Sequence, residues 1–169
     1  MGAGKTETGQ RLADTLGWRY LDSDKIIERR ERSSIQKIFK DKGESYFRSV
    51  ESRVVKDLLL KPQTVLSLGG GVVCRKANRT LIKKRAFVIW LSASAGVIHR
   101  RTQGETARPL LNVADPQARI RELLKERKPL YAKCAHAVVP SGGSATIGRI
   151  KRLPQIRKII RSHEAEAAT

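Results

Sequence analysis

The sequence is short of cysteine, acidic residues and long apolar runs, and each shortage narrows what the chain can be. Only Cys74 and Cys134 occur in 169 residues. They are far apart and stand in no CxxC or Cys/His spacing, which excludes a disulfide framework and a zinc site of the usual pattern. They read as plain thiols in a reducing compartment, so a cytoplasmic location is the expectation. No apolar stretch approaches the roughly 20 residues that cross a bilayer. The blocks Val65-Leu66-Ser67-Leu68 and Phe87-Val88-Ile89-Trp90-Leu91 fit buried strands instead. Neither a secretory leader nor an internal repeat is apparent. Sixteen Asp and Glu face 35 Lys and Arg, a formal net charge of +19. Such a field favours anionic partners: nucleotides, phosphorylated products, carboxylates, or nucleic acid. The cations are dispersed, at Arg29-Arg30, Lys83-Lys84-Arg85, Arg100-Arg101 and from Arg149 to Arg161. That dispersal fits a solvated surface better than a nucleic-acid groove.

What is present begins with Met1-Gly2-Ala3-Gly4-Lys5-Thr6-Glu7-Thr8. Gly4-Lys5-Thr6 is the second half of a phosphate-binding loop. There, glycines let backbone N–H groups face a phosphate chain, the lysine reaches its β and γ groups, and the threonine hydroxyl ligates magnesium. The helical pattern after Lys5 supplies the helix N-terminus on which an anion sits. The full motif, G-x-x-x-x-G-K-[ST], has a further glycine five residues before Gly4, upstream of Met1.

The rest of the chain alternates helical and extended patterns within one domain, residues 1–169. Leu12, Ala13 and Leu16 give the first helix its apolar side, and Gly17 stops it. Trp18 to Leu21 reads as a strand running into Asp22-Ser23-Asp24, two carboxylates at the carboxyl end of a strand, where α/β proteins put their chemistry. The alternative is a turn in which Asp24 caps a helix over 25–30. Helices are expected from Ser34 to Gly43 and from Glu44 to Leu60. Thr64 to Leu68 is a strand ending in Gly69-Gly70-Gly71, a place for close backbone approach. A helix over 75–84, a strand over 86–91 and a helix from Ser94 follow. The polar segment of about 102–114, carrying Arg108-Pro109-Leu110-Leu111, suits a lid. Then come a helix over 116–128, a short strand at Ala137-Val138-Val139, and a basic helical tail of about 149–169 broken at Pro154.

Read in order, Gly2-Ala3-Gly4-Lys5-Thr6, Leu21-Asp22-Ser23-Asp24, Phe47-Arg48 with Glu51, Leu68-Gly69-Gly70-Gly71, Arg108-Pro109-Leu110-Leu111 and Arg127-x-Pro129-Leu130-Tyr131 resemble shikimate kinase. The resemblance spans Met1 to about Val139. It implies a P-loop kinase fold with a five-stranded parallel sheet in order 2-3-1-4-5. The implied reaction is ATP-dependent phosphorylation of the shikimate 3-hydroxyl, in aromatic amino-acid biosynthesis. On this resemblance Gly2, Ala3, Gly4, Lys5, Thr6 and Glu7 hold the nucleotide, with Arg101 over adenine and Arg108 swinging in with the lid. Lys5, Asp24 and Arg108 are the catalytic set, Asp24 as base for the 3-hydroxyl. Thr6 binds Mg²⁺ directly and Asp22 supports it through water. The substrate region is about 24–61, and Arg48 and Arg127 clamp the shikimate carboxylate while Gly69, Gly70 and Gly71 let the substrate approach the backbone. A monomer is expected, with ATP and shikimate as partners and no membrane; nucleic acid is disfavoured but not excluded by the +19 charge.

Two departures from the family pattern carry expectations. His136 stands where aspartate is common, away from the chemistry. The family's first strand lies between strands 3 and 4, and no counterpart follows Met1. The expectation is a sheet split into halves with unpaired edges, and hence low stability and weak activity. Gluconate and adenylate kinases share the scaffold but not the Arg48–Arg127 pair with three glycines. A nucleic-acid-binding or degenerate kinase-like protein is the alternative from another class.

Overall fold

The computed structural model describes residues 2–103, 109–111 and 113–167. Helix α1 (Lys5–Leu16) is followed by β1 (Arg19–Asp22), α2 (Ser23–Glu31), α3 (Ile35–Leu58) and β2 (Thr64–Ser67). A 3₁₀ turn (Val72–Cys74) leads to α4 (Lys76–Arg85), β3 (Ile89–Ser92) and α5 (Ala95–Thr102). After a second short turn (Pro109–Leu111) come α6 (Pro116–Cys134), β4 (Ala137–Pro140), α7 (Ala145–Lys151) and α8 (Pro154–Ala167). No described helix is long and apolar enough to cross a membrane.

The strands form two separate parallel pairs. β1 pairs with β2, Tyr20 opposite Val65, and β3 pairs with β4, Trp90 opposite Val138. Relative to the expected order, these are the 2-3 and 4-5 halves. Among the described residues no strand lies between them.

Local chemistry sets the helix limits. Gly4 and Gly17 bracket α1 with left-handed backbone, at φ 72° and 62°. Ser34 caps α3 by accepting from the Lys37 N–H at 3.2 Å, and Ser94 caps α5 by accepting from Val97. Gly43, at φ 78° and ψ 170°, breaks α3 in two, where the sequence put the boundary. One expected boundary is wrong. Pro129 was read as following a helix that stops at 128, yet α6 runs through it to Cys134. An interior proline forfeits a hydrogen bond and costs roughly 3 kcal/mol. Keeping the helix places Arg127, Tyr131 and Cys134 on one face at i, i+4 and i+7, and Arg127 and Cys134 are buried. Burial of that face overrides the local preference.

The core is divided among the layers. Ile27, Ile38, Phe47, Val50, Val54 and Leu58 join α2 and α3 beneath Leu21 and Leu66. Leu12, Leu16, Val139, Ile150 and Ile156 join α1, β4, α7 and α8. The basic tail is therefore structural. Its Ile156 is 5% exposed and Ile159 and Ile160 pack beside it, and full burial of such a side chain is worth about 1.5–3 kcal/mol. Arg157, Lys158 and Arg161 stay on the outer face.

Candidate active site

The carboxyl ends of the strands and the loop before α1 meet in one place. Gly2 and Gly4 hold positive φ, 54° and 72°, and turn the loop into the helix. The carbonyls on the far side are tied off: Ser141 Oγ donates to Ala3 O at 2.8 Å, and Arg101 donates to Gly2 O at 3.4 Å and to Ser141 Oγ at 2.8 Å. With those carbonyls engaged, the loop keeps its N–H groups for an anion at the start of α1. Arg101 thus lies against the loop. The Glu7 carboxylate pairs with Arg11 one turn along the exposed side of α1, at 3.6 Å. Arg108 lies outside the described residues.

Asp22, rather than Asp24, caps α2. Its Oδ1 accepts from the N–H of Asp24 at 2.9 Å and of Lys25 at 3.4 Å, and Tyr20 Oη donates to its Oδ2 at 3.2 Å. Asp24 sits in the first turn of α2, where its Oδ1 accepts from Ser23 Oγ at 3.5 Å and lies beside Gly69. Burial, followed by the negative charge of Asp22, raises the Asp24 pKa above the ordinary value, while Lys5 pulls it down. The Tyr20 hydroxyl also neighbours Ser67 and Thr6, and burial raises its pKa. A carboxylate offers about four lone-pair sites, so Asp22 retains acceptors for a water, beside the Thr6 hydroxyl. That donor set fits a hydrated divalent cation. Among the described residues no group of three or more His, Cys, Asp or Glu could hold a metal unaided.

Opposite Asp24 lies a buried charge cluster. Arg48, 8% exposed, donates from Nη1 to Glu51 Oε2 at 2.9 Å and from Nε and Nη2 to Glu44 Oε1 at 3.1 and 2.9 Å. Burial alone would depress the Arg48 pKa, but Glu51 and Glu44 raise it. Glu51, 1% exposed, is part of the Phe47-Arg48 motif but has no role assigned in the sequence, and here it is the buried partner of Arg48. Burial raises its pKa, Arg48 lowers it and Asp24 raises it again. Glu51 Oε1 and Arg127 Nε are buried without a hydrogen-bond partner, and such orphans cost free energy unless something is to be bound there. Arg127 neighbours both Glu51 and Tyr131, and the Tyr131 hydroxyl donates to Gly70 O at 2.7 Å.

The three glycines are adjacent but do different things. A Cβ on Gly69 would lie 2.7 Å from Asp24 Oδ1 and 3.0 Å from Glu51 Oε1. A Cβ on Gly71 would overlap the Arg48 guanidinium, whose Cζ is 2.5 Å from that position. The Gly69 N–H donates to Ser23 Oγ at 3.0 Å, which fixes the turn against α2. His136, outside the site, accepts the Val88 N–H on Nδ1 at 3.0 Å and stacks on Phe87. A carboxylate there would serve the same N–H, so the departure from the family pattern leaves the backbone satisfied.

The geometry agrees with what comparison of whole chains finds. The family model described as shikimate kinase matches residues 1–161. A shikimate kinase of Acinetobacter baylyi is 45% identical over 145 residues, 86% of this chain and 81% of that protein. One from Ruegeria pomeroyi is 41% identical over 153 residues, 90% of this chain and 78% of that one. Among solved structures, the Acinetobacter baumannii shikimate kinase in complex with shikimate superimposes with a TM-score of 0.87 at 37% identity, covering 96% of this chain and 89% of that chain. The Aquifex aeolicus shikimate kinase gives 0.77 at 32% identity, with 89% of each chain covered. A degenerate or nucleic-acid-binding protein is not favoured by this company, and the fold is that of the P-loop kinases. With Asp24, Arg48 and Arg127 gathered beside a phosphate-binding loop, and relatives matched over most of their length, the chain belongs to the shikimate kinase family.

Proposed function

We propose that this chain transfers the γ-phosphoryl group of ATP to the 3-hydroxyl of shikimate and releases ADP. The observation that carries the reading is the cluster around the glycine turn: Asp24 Oδ1 and Glu51 Oε1 lie 2.7 and 3.0 Å from where a Gly69 Cβ would stand, and the Arg48 guanidinium lies against Gly71. Phosphoryl transfer asks a protein mainly for alignment and neutralisation of charge, and this cluster sets a carboxylate beside guanidinium donors, as an acceptor carrying both a hydroxyl and a carboxylate requires.

Arg48 and Arg127 clamp the shikimate carboxylate. Planar guanidinium forks suit that group, and the orphaned Arg127 Nε is a donor awaiting an acceptor. The clamp leaves the ring hydroxyls toward Asp24. Asp24 orients the 3-hydroxyl and takes its proton, and its raised pKa makes it a better acceptor than a solvated aspartate. Lys5 and the N–H groups of the loop and the first turn of α1 hold the phosphates, Arg101 borders the nucleotide, and Arg108 closes over it from the lid. Mg²⁺ would be held by Thr6 and, through water, by Asp22, and it supplies neutralisation of phosphate charge.

The test is a coupled ADP-release assay with shikimate, gluconate and AMP side by side. ADP release is expected with shikimate alone, and equal turnover on gluconate or AMP refutes the substrate reading. Asp24→Asn should abolish turnover while leaving ATP affinity within about threefold, since the lost group faces the acceptor.

A further inference from the structure

β1 and β2 turn one face toward α1, and strand alternation decides which side chains stand on it. Tyr20 and Asp22 are two residues apart on β1 and share that face, and Ser67 of β2 stands opposite Asp22 in register. Across from them Gly9 lies on α1 three residues from Thr6, on the same side of the helix. The Gly9 backbone is not left-handed, and glycine is costly inside a helix. The ring of Tyr20 accounts for it: a Cβ on Gly9 would come within 2.7 Å of Tyr20 Cε2 and 3.3 Å of Cδ2. Gly9 is thus a notch that lets the ring lie against α1.

Seated there, the ring carries its hydroxyl in among Thr6, Asp22 and Ser67. The hydroxyl donates to Asp22 Oδ2 at 3.2 Å, while Oδ1 accepts from the N–H groups of Asp24 and Lys25. With both oxygens held, the carboxylate cannot turn about its Cβ–Cγ bond without giving up a hydrogen bond. What Oδ2 still offers is therefore aimed, and Tyr20 aims it. Ser67 Oγ, in a residue 5% exposed, has no hydrogen-bond partner. A buried hydroxyl left idle costs stability unless something is bound beside it, so a polar ligand belongs at this spot. Phenylalanine would fill the Gly9 notch as well as tyrosine does. The hydroxyl serves the carboxylate rather than the packing.

We propose, resting on the nucleotide and magnesium reading of this loop, that Tyr20 is a positioning residue of the cation site: its hydroxyl fixes the orientation in which Asp22 receives the hydration shell of the metal. Tyr20 itself touches neither metal nor phosphate. Partners at this remove set how tightly a metal is kept, and their loss costs about 10–100-fold in its affinity.

The test measures ADP affinity by calorimetry, once in EDTA and once with saturating Mg²⁺, for the parent, Tyr20→Phe, Gly9→Ala and the two changes combined. A parallel titration replaces Mg²⁺ by Mn²⁺ and reads the bound metal by electron paramagnetic resonance. Tyr20→Phe is expected to leave ADP affinity in EDTA within about twofold of the parent and to weaken Mn²⁺ binding in the ADP complex by at least about tenfold. Gly9→Ala, which pushes the ring aside, is expected to do the same, and on the Tyr20→Phe background to cost nothing further, because the group it displaces is already gone. Mn²⁺ affinity within about twofold of the parent in Tyr20→Phe would overturn the proposal. So would an equal loss of ADP affinity in EDTA, which would make the ring a support of the loop alone, and so would a parent whose ADP binding is indifferent to metal. Shikimate is absent throughout, so the coupled ADP-release assay judges the acceptor separately.

Discussion

Gly71→Ala isolates the proposed carboxylate clamp with a single methyl group. The backbone of Gly71 lies at φ −90° and ψ −9°, where alanine is at ease, so the change carries no conformational penalty. The penalty is steric. The new Cβ falls on the Arg48 guanidinium, and three donors tie that group to Glu51 and Glu44. Arg48 has to withdraw, and a charge-assisted hydrogen bond to a substrate carboxylate is worth about 1.5–3 kcal/mol. Losing the equivalent of about 2.8 kcal/mol raises the shikimate KM about a hundredfold, at tenfold per 1.4 kcal/mol. Stability falls as well, because withdrawal strains a buried ion pair whose complete rupture costs about 3–5 kcal/mol. About 2 kcal/mol of that, at roughly 2–4 °C each for a chain of this size, lowers Tm by about 4–8 °C. Initial rates taken well below the melt, with shikimate and ATP varied in turn, separate the two effects. The ATP KM should stay within about threefold. A shikimate KM also within threefold of the parent would refute the packing of Arg48 on Gly71 as the basis of the clamp.

The burial of Asp24 and Glu51 gives a stability prediction with a definite sign. Both carboxyls have native pKa values raised above their unfolded values, so the native state holds extra protons between the two, and stability falls as pH rises through that window. Above it the penalty is fully present. Asp24→Asn should therefore raise Tm at pH 7 by a few degrees, and the gain should fade as the pH is brought below the ordinary aspartate value of about 3.9. A lower Tm than the parent at pH 7, in thermal melts followed by circular dichroism, would reverse the sign and defeat the argument. Gly148→Ala, inside α7 with nothing within 4 Å of the added Cβ, should stabilise by about 0.5–1 kcal/mol, measured by urea unfolding, with kinetics unchanged.

The elements that were legible in the sequence are those whose local chemistry agrees with their packing. Ser34, Ser94 and Gly43 mark helix limits by side-chain caps or positive φ, and short-range physics sufficed to place them. The helix end at Pro129 is misplaced because tertiary burial overrides the local signal: proline inside α6 is tolerated for the face it keeps. The tail is helical and broken at Pro154 as expected, but its sequence gives no sign that Ile156, in a strongly basic segment, belongs to the core. Asp22 and Asp24 were both legible as functional, but which of them caps α2 depends on where the helix begins. A boundary shifted by two residues exchanges their roles. Glu51 was the harder case. The Phe47-Arg48 motif includes it but gives it no task, and only its place three residues from Arg48, beside Val50 and Val54 on the buried side of α3, shows that it holds the guanidinium.

That glutamate changes the meaning of the glycine triplet. The sequence suggested that Gly69, Gly70 and Gly71 clear space for a ligand, whereas the space beside Gly69 is taken by the Asp24 and Glu51 carboxylates and the space beside Gly71 by Arg48. Gly70 gives its carbonyl to Tyr131. The protein's own charged groups occupy the room the missing side chains leave, and they do so because they must be both buried and close. Asp24 and Glu51 repel each other, and Arg48 and Arg127 compensate Glu51 from opposite elements, α3 and α6. An arrangement of two carboxylates and two guanidiniums around one glycine turn is costly to assemble in a low-dielectric setting. On the proposed reading, a substrate carboxylate entering it meets donors that are already desolvated, so the ordering that binding requires is largely complete before the ligand arrives.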